Sequence, residues 1–181
     1  RLIYDQLPAF IVVSVISAFA TTALYWDDAA TPHLYLQGWL GMFLAFMLIR
    51  VVVIWQVRNN IIDNPGRMRK LVALSAAITG AFWGAATMLF NPELFPAEGE
   101  VFYRQALFGA LIASQCIAAM ACYSAHFPSF LAFLACTLLP GLAHVLLNPS
   151  PTAYATVGMG TLLATFLILS ARRINITTHS S

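Results

Sequence analysis

Residues 34–57 read LYLQGWLGMFLAFMLIRVVVIWQV, and this stretch decides the fold. Arg50 is its one charged residue. A helix rises ~1.5 Å per residue, so a run of this length spans about 36 Å. That is enough to cross a hydrocarbon core about 30 Å thick. A barrel strand would be shorter and would alternate polar with apolar positions. This run is continuous.

The same pattern recurs outward from it. Apolar runs cover residues 7–26, 71–90, 101–123, 127–147 and 153–171. Of 181 residues, 60% are hydrophobic and 9% charged, which excludes a water-soluble domain. Backbone polar groups in lipid must pair internally, in helices or closed barrels. The expected fold is therefore all-α, a polytopic bundle of six transmembrane helices. Pro8 is expected in the first turn of span one, where a proline is tolerated. The longest connection, Arg58 to Lys70, carries the turn signal Asn64-Pro65-Gly66.

Charge orients the bundle. Arg58, Arg67, Arg69 and Lys70 lie between spans two and three, Arg172 and Arg173 follow span six, and Arg1 precedes span one. Asp27 and Asp28, and Glu93, Glu98 and Glu100, lie in the alternate connections. The excess of Lys and Arg marks the cytoplasmic side, so both termini are expected there. Tyr25, Trp26, Tyr35, Trp39, Trp55, Phe90 and Tyr103 fall near span ends and read as interfacial anchors. The formal charge of +2 includes no basic block for nucleic acid. Cys116, Cys122 and Cys136 sit inside apolar runs at spacings that fit no zinc or haem motif. No metal or cofactor is expected.

Three stretches carry a resemblance. Tyr4-Asp5-Gln6-Leu7-Pro8 runs into a span that ends Leu24-Tyr25-Trp26. Gly38-Trp39-Leu40 leads to Arg50 and then to the segment from Trp55 to Arg58. Ser170-Ala171-Arg172-Arg173-Ile174-Asn175 closes the last span. Together they resemble the six-helix N-terminal membrane input regions of bacterial signalling proteins, which precede diguanylate cyclase (GGDEF) domains or histidine kinase cores. The resemblance implies a sensory domain over residues 1–173, a cytoplasmic linker starting at 174–181, and a place in the bacterial inner membrane. This chain contains neither a GGDEF signature nor a phosphoacceptor histidine, so it is not expected to be an enzyme itself.

Polar residues inside spans are expensive and point to sites. Arg50 lies about 10 Å before the cytoplasmic end of span two. Either it snorkels to the interface, or it faces the bundle and binds an anionic head group or acidic ligand. Gln115 sits mid-span beside Ser114 and bonds a neighbouring helix or a ligand. His144 follows Pro140, which is expected to kink span five and open a polar pocket beside it. These three, with Trp39 and Trp83, make the candidate pocket for a membrane lipid or small amphiphilic ligand. Arg50 lies toward the inner side and His144 toward the outer, so a subset of them forms any one site. Arg104, four residues after Glu100, reads as a local ion pair, and His126 as a loop residue.

Gly80 and Gly84 form a GxxxG frame that permits close helix approach. Ala106, Ala110 and Ser114 repeat it in span four, as do Gly158 and Gly160 in span six. Such surfaces pack within a chain or pair two chains into a homodimer. Two other functions compete with sensing. A small transporter or channel would carry intramembrane carboxylates or an internal repeat, and neither is evident. An intramembrane enzyme would need a nucleophile and base on one motif, and Ser75, Ser114 and His144 lie on separate spans.

Overall fold

The computed structural model describes residues 2–27, 31–59, 64–90, 100–147 and 151–180. The described residues form six α-helices: α1 (Leu2–Tyr25), α2 (His33–Arg58), α3 (Pro65–Leu89), α4 (Glu100–Tyr123), α5 (Phe127–Leu147) and α6 (Pro151–Ser180). A 3-10 turn, Ser124–His126, joins α4 to α5. Among the described residues there is no strand. Five stretches are long and apolar enough to cross a membrane, and the fourth, Ala106–His144, joins α4 to α5 through that turn.

Local chemistry sets the helix starts. Pro65 occupies the first turn of α3, where its missing N–H costs nothing. The Asn64 side chain accepts from the Gly66 N–H at 2.9 Å and the Arg67 N–H at 3.2 Å. Helix α1 begins at Leu2, earlier than the apolar run suggests, so Pro8 lies inside it rather than in its first turn. Helix α6 runs on to Ser180, well past its apolar segment.

The core is apolar and aromatic, with several buried hydroxyls and one amide, and the outer surface is apolar as well. Ile16, Leu48, Leu139, Leu162 and Phe166 are each more than 60% exposed, while Ser14, Thr21, Thr79 and Gln115 are fully buried. Apolar surface of that extent needs an apolar solvent. Hydroxyls are satisfied on their own helices: Thr21, Thr79 and Thr137 donate to the carbonyls of Ser17, Ser75 and Phe133.

Helix α3 packs most extensively on α5. A Cβ at Gly80 would meet the Phe133 carbonyl, and one at Gly84 the Cys136 carbonyl and the Pro140 ring. Gly141 answers from α5, against Thr87. Thr137 bridges the pair by donating to the Gly80 carbonyl at 3.4 Å. The glycine face is therefore filled by the same chain. The small residues Ala106, Ala110 and Ser114 point outward instead, and nothing lies within 4 Å of a Cβ built at Gly158. Helix α6 buries the smallest share of its span among the five stretches.

Three of the expected interfacial anchors are core residues. Tyr25, Trp39 and Phe90 are at most 5% exposed, whereas Trp26, Tyr35, Trp55 and Tyr103 are exposed. The buried three stack together between helices, which outcompetes the headgroup region for a large flat ring. The expected pairing of Arg104 with Glu100 falls on a Glu100 side chain outside the described residues.

Candidate functional site

Arg50 is the one charged side chain buried among the described residues, at 3% exposed. It lies on the inner stripe of α2 with Leu36, Trp39, Phe43, Met47, Ile54 and Val57. Those positions recur every three or four residues, the spacing of one helical face. Its neighbours Leu48, Ile49, Val51 and Val52 face outward. The guanidinium points into the bundle rather than along the surface of α2.

There it meets three other helices. One terminal nitrogen donates to Thr79 Oγ1 on α3 at 3.0 Å, and the other donates to the Tyr123 hydroxyl on α4 at 2.7 Å. Thr79 is fixed as an acceptor because its own proton goes to the Ser75 carbonyl at 2.7 Å. Phe10 of α1 presents its ring 5.4 Å from the guanidinium carbon. Phe10 in turn packs edge-on against Tyr123 at 5.4 Å and Phe133 of α5 at 5.8 Å. Met47 Sδ, 3.9 Å away, completes the contacts.

The set is cation-compatible yet not neutral. Hydroxyl lone pairs and a ring face offer partial negative charge. No carboxylate joins them among the described residues. An arginine does not escape by losing its proton, and of its five N–H donors two are taken by hydroxyls.

The other singled-out residues lie elsewhere. Gln115 is two helical turns from Tyr123 along α4, about 12 Å. Its carbonyl accepts from Ser14 at 2.8 Å, and its amide donates to Ser17 at 2.7 Å. That satisfies the amide and ties α4 to α1. Trp39 and Trp83 come together edge-on, 5.7 Å apart, in an aromatic layer with Phe43 and Phe90. Trp39 donates to the Phe82 carbonyl at 3.0 Å. Trp83 Nε1 is buried and has no acceptor among the described residues. Within this layer Trp39 is three turns from Arg50 along α2, about 16 Å, and Phe43 two turns, about 10 Å. His144 is half-buried in the last turn of α5, about 16 Å along that helix from Phe133. The five residues thus occupy separate places, and only the two tryptophans meet.

Residues that sequence reading did not single out surround Arg50. Thr79 reads as an ordinary back-bonding threonine, Phe10 as filler, and Tyr123 as a span end. One more lies at the same corner. Asn175 of α6 donates its amide to the carbonyls of Ser124 and Ala125, at 3.0 and 3.2 Å. Those carbonyls follow Tyr123 directly. The α4–α5 corner is therefore held from within by Arg50 through Tyr123, and from outside by Asn175. His126 in that turn bonds Ser129 at 2.7 Å, a local loop contact.

No protein-family model, curated protein or solved structure matches the chain. Among the described residues no cluster of His, Cys, Asp or Glu is placed to hold a metal.

Proposed function

We propose that this chain is a membrane-embedded sensory module that passes a membrane-borne or small-molecule signal to a cytoplasmic output domain, a diguanylate cyclase or histidine kinase. In this reading all six helices cross a bacterial inner membrane and both termini are cytoplasmic, as the loop charges favour. The signal is a lipid or small amphiphile. A homodimer would have to pair through a surface other than Gly80 and Gly84, which α5 occupies.

One observation carries the reading. The buried arginine and the exit helix hold the same α4–α5 corner, through Tyr123 and Asn175. Helix α6 is about 45 Å long, which exceeds a bilayer core of about 30 Å. It buries little of its span and carries exposed Arg172 and Arg173 past the apolar segment. Long, with little of its span buried, packed against α5 and tied to the corner by Asn175, α6 is suited to move when the corner moves. The experiment is to assay the complete gene product in native-lipid vesicles. Asn175→Ala should disconnect output from stimulus while the bundle stays folded. A wild-type response from Asn175→Ala, or a coding sequence that closes directly after Ser181, would reject the relay.

A further inference from the structure

We infer that Arg50 is the binding point for a monoanionic amphiphile, a carboxylate head on an apolar chain, that enters between the helices from the Arg172 end of the bundle. The inference rests on the sensory reading for its purpose and on the Arg50 geometry for its chemistry. A guanidinium that is 3% exposed in a lipid-embedded bundle has lost its water. The loss of hydration is recovered only with good geometry and an opposite charge. Thr79 and Tyr123 supply hydroxyls, and Phe10 supplies a ring face. None of them brings a negative charge. Two N–H donors remain for a ligand, since three of five are directed at Thr79, Tyr123 and the Met47 sulfur.

The charge count selects the ligand. One cation matches one negative charge, which disfavours a doubly charged phosphomonoester. A planar carboxylate pairs with a guanidinium through two parallel bonds. Around the guanidinium lie the Phe10 ring and the Met47 thioether, with Phe133 packed behind Phe10, and these apolar groups suit an acyl chain. A phosphodiester lipid shares the single negative charge but brings two chains and a bulkier head. A single-chain carboxylate is the better fit behind the Thr79 and Tyr123 hydroxyls.

The test uses the chain purified in a neutral maltoside detergent, with unfolding followed by tryptophan fluorescence. The probe is laurate, and methyl laurate is the uncharged control. At saturating laurate the melting temperature should rise by about 5 °C, and methyl laurate should leave it unchanged. Arg50→Met should abolish the rise. Should that variant fail to fold, Arg50→Lys keeps the charge without the paired donors, and it should lose most of the rise. Nanodiscs containing anionic phosphatidylglycerol form a second arm. A larger shift there than with laurate would reassign the site to a lipid headgroup and overturn the carboxylate assignment. Equal shifts from laurate and its methyl ester, or a full laurate shift in Arg50→Lys, would overturn the site. So would Asp5→Asn destabilising the ligand-free chain and removing the laurate shift, because an internal acid would then own the charge. If laurate binds as expected but output from the complete protein does not change, the sensory reading fails and the site stands.

Discussion

At the residue scale the decisive question is what neutralises Arg50, and its neighbours respond differently to substitution. Thr79→Val removes an acceptor and leaves a guanidinium donor facing a methyl group. It should cost about 1–3 kcal/mol of unfolding free energy, measured in mixed detergent micelles. Arg50→Met in the absence of any anion should be neutral or stabilising, because an apolar chain of similar length replaces an unneutralised charge. If Arg50→Met loses as much as Thr79→Val without added anion, the arginine is structural glue. Gln115→Leu removes two bonds between α1 and α4 and should cost about 0.6–2 kcal/mol. The cost of burying a charge marks Arg50 in the sequence, but not the direction in which it points. An apolar run that is hydrophobic on all sides hides the stripe that distinguishes inward from outward positions. Thr79 and Tyr123 stay hidden for another reason: their roles exist only once α2, α3 and α4 are assembled.

At the element scale the α3–α5 crossing is the tightest feature, and it was legible as a glycine spacing. The frame at Gly80 and Gly84 says that some backbone comes close; it does not say whose. Long-range packing decides that, and it placed Phe133, Cys136 and Pro140 there. Gly84→Leu should prevent folding or leave an expanded, aggregating species on size-exclusion chromatography, because the new side chain would have to displace the α5 backbone. Gly109→Ala, with nothing within 4 Å of its Cβ position, should run as wild type in the same experiment. A monodisperse, wild-type-like Gly84→Leu would refute the crossing. The similar small-residue series in α4 faces outward, so spacing alone does not distinguish a packed face from a lipid-exposed one. Aromatic positions mislead in the same way: Tyr25, Trp39 and Phe90 stand near span ends, yet the core holds them.

At the scale of the whole molecule, composition pointed to membrane-length helices, because 60% of the residues are hydrophobic and fall in long runs. The helical runs themselves were readable because apolar runs and charged connections agree with one another, but the start of α1 and the end of α6 were not. The exit helix was not readable to its full length, since α6 continues through residues that are polar and charged. The proposed topology rests on the loop charges. A cysteine at position 64 should react with an impermeant thiol reagent only from the cytoplasmic side, and cysteines at 28 and 96 only from outside. The opposite pattern would invert the bundle. The relay from Arg50 through the α4–α5 corner to α6 is the central claim, and a distance measurement reaches it most directly. Spin labels would replace the exposed residues Asn59 and Ile176 in a chain whose three native cysteines are changed to alanine. The account predicts that laurate shifts the Asn59–Ile176 distance distribution, and that Asn175→Ala abolishes the shift while laurate still binds. A distribution unchanged by bound laurate, or a shift that survives Asn175→Ala intact, would contradict it.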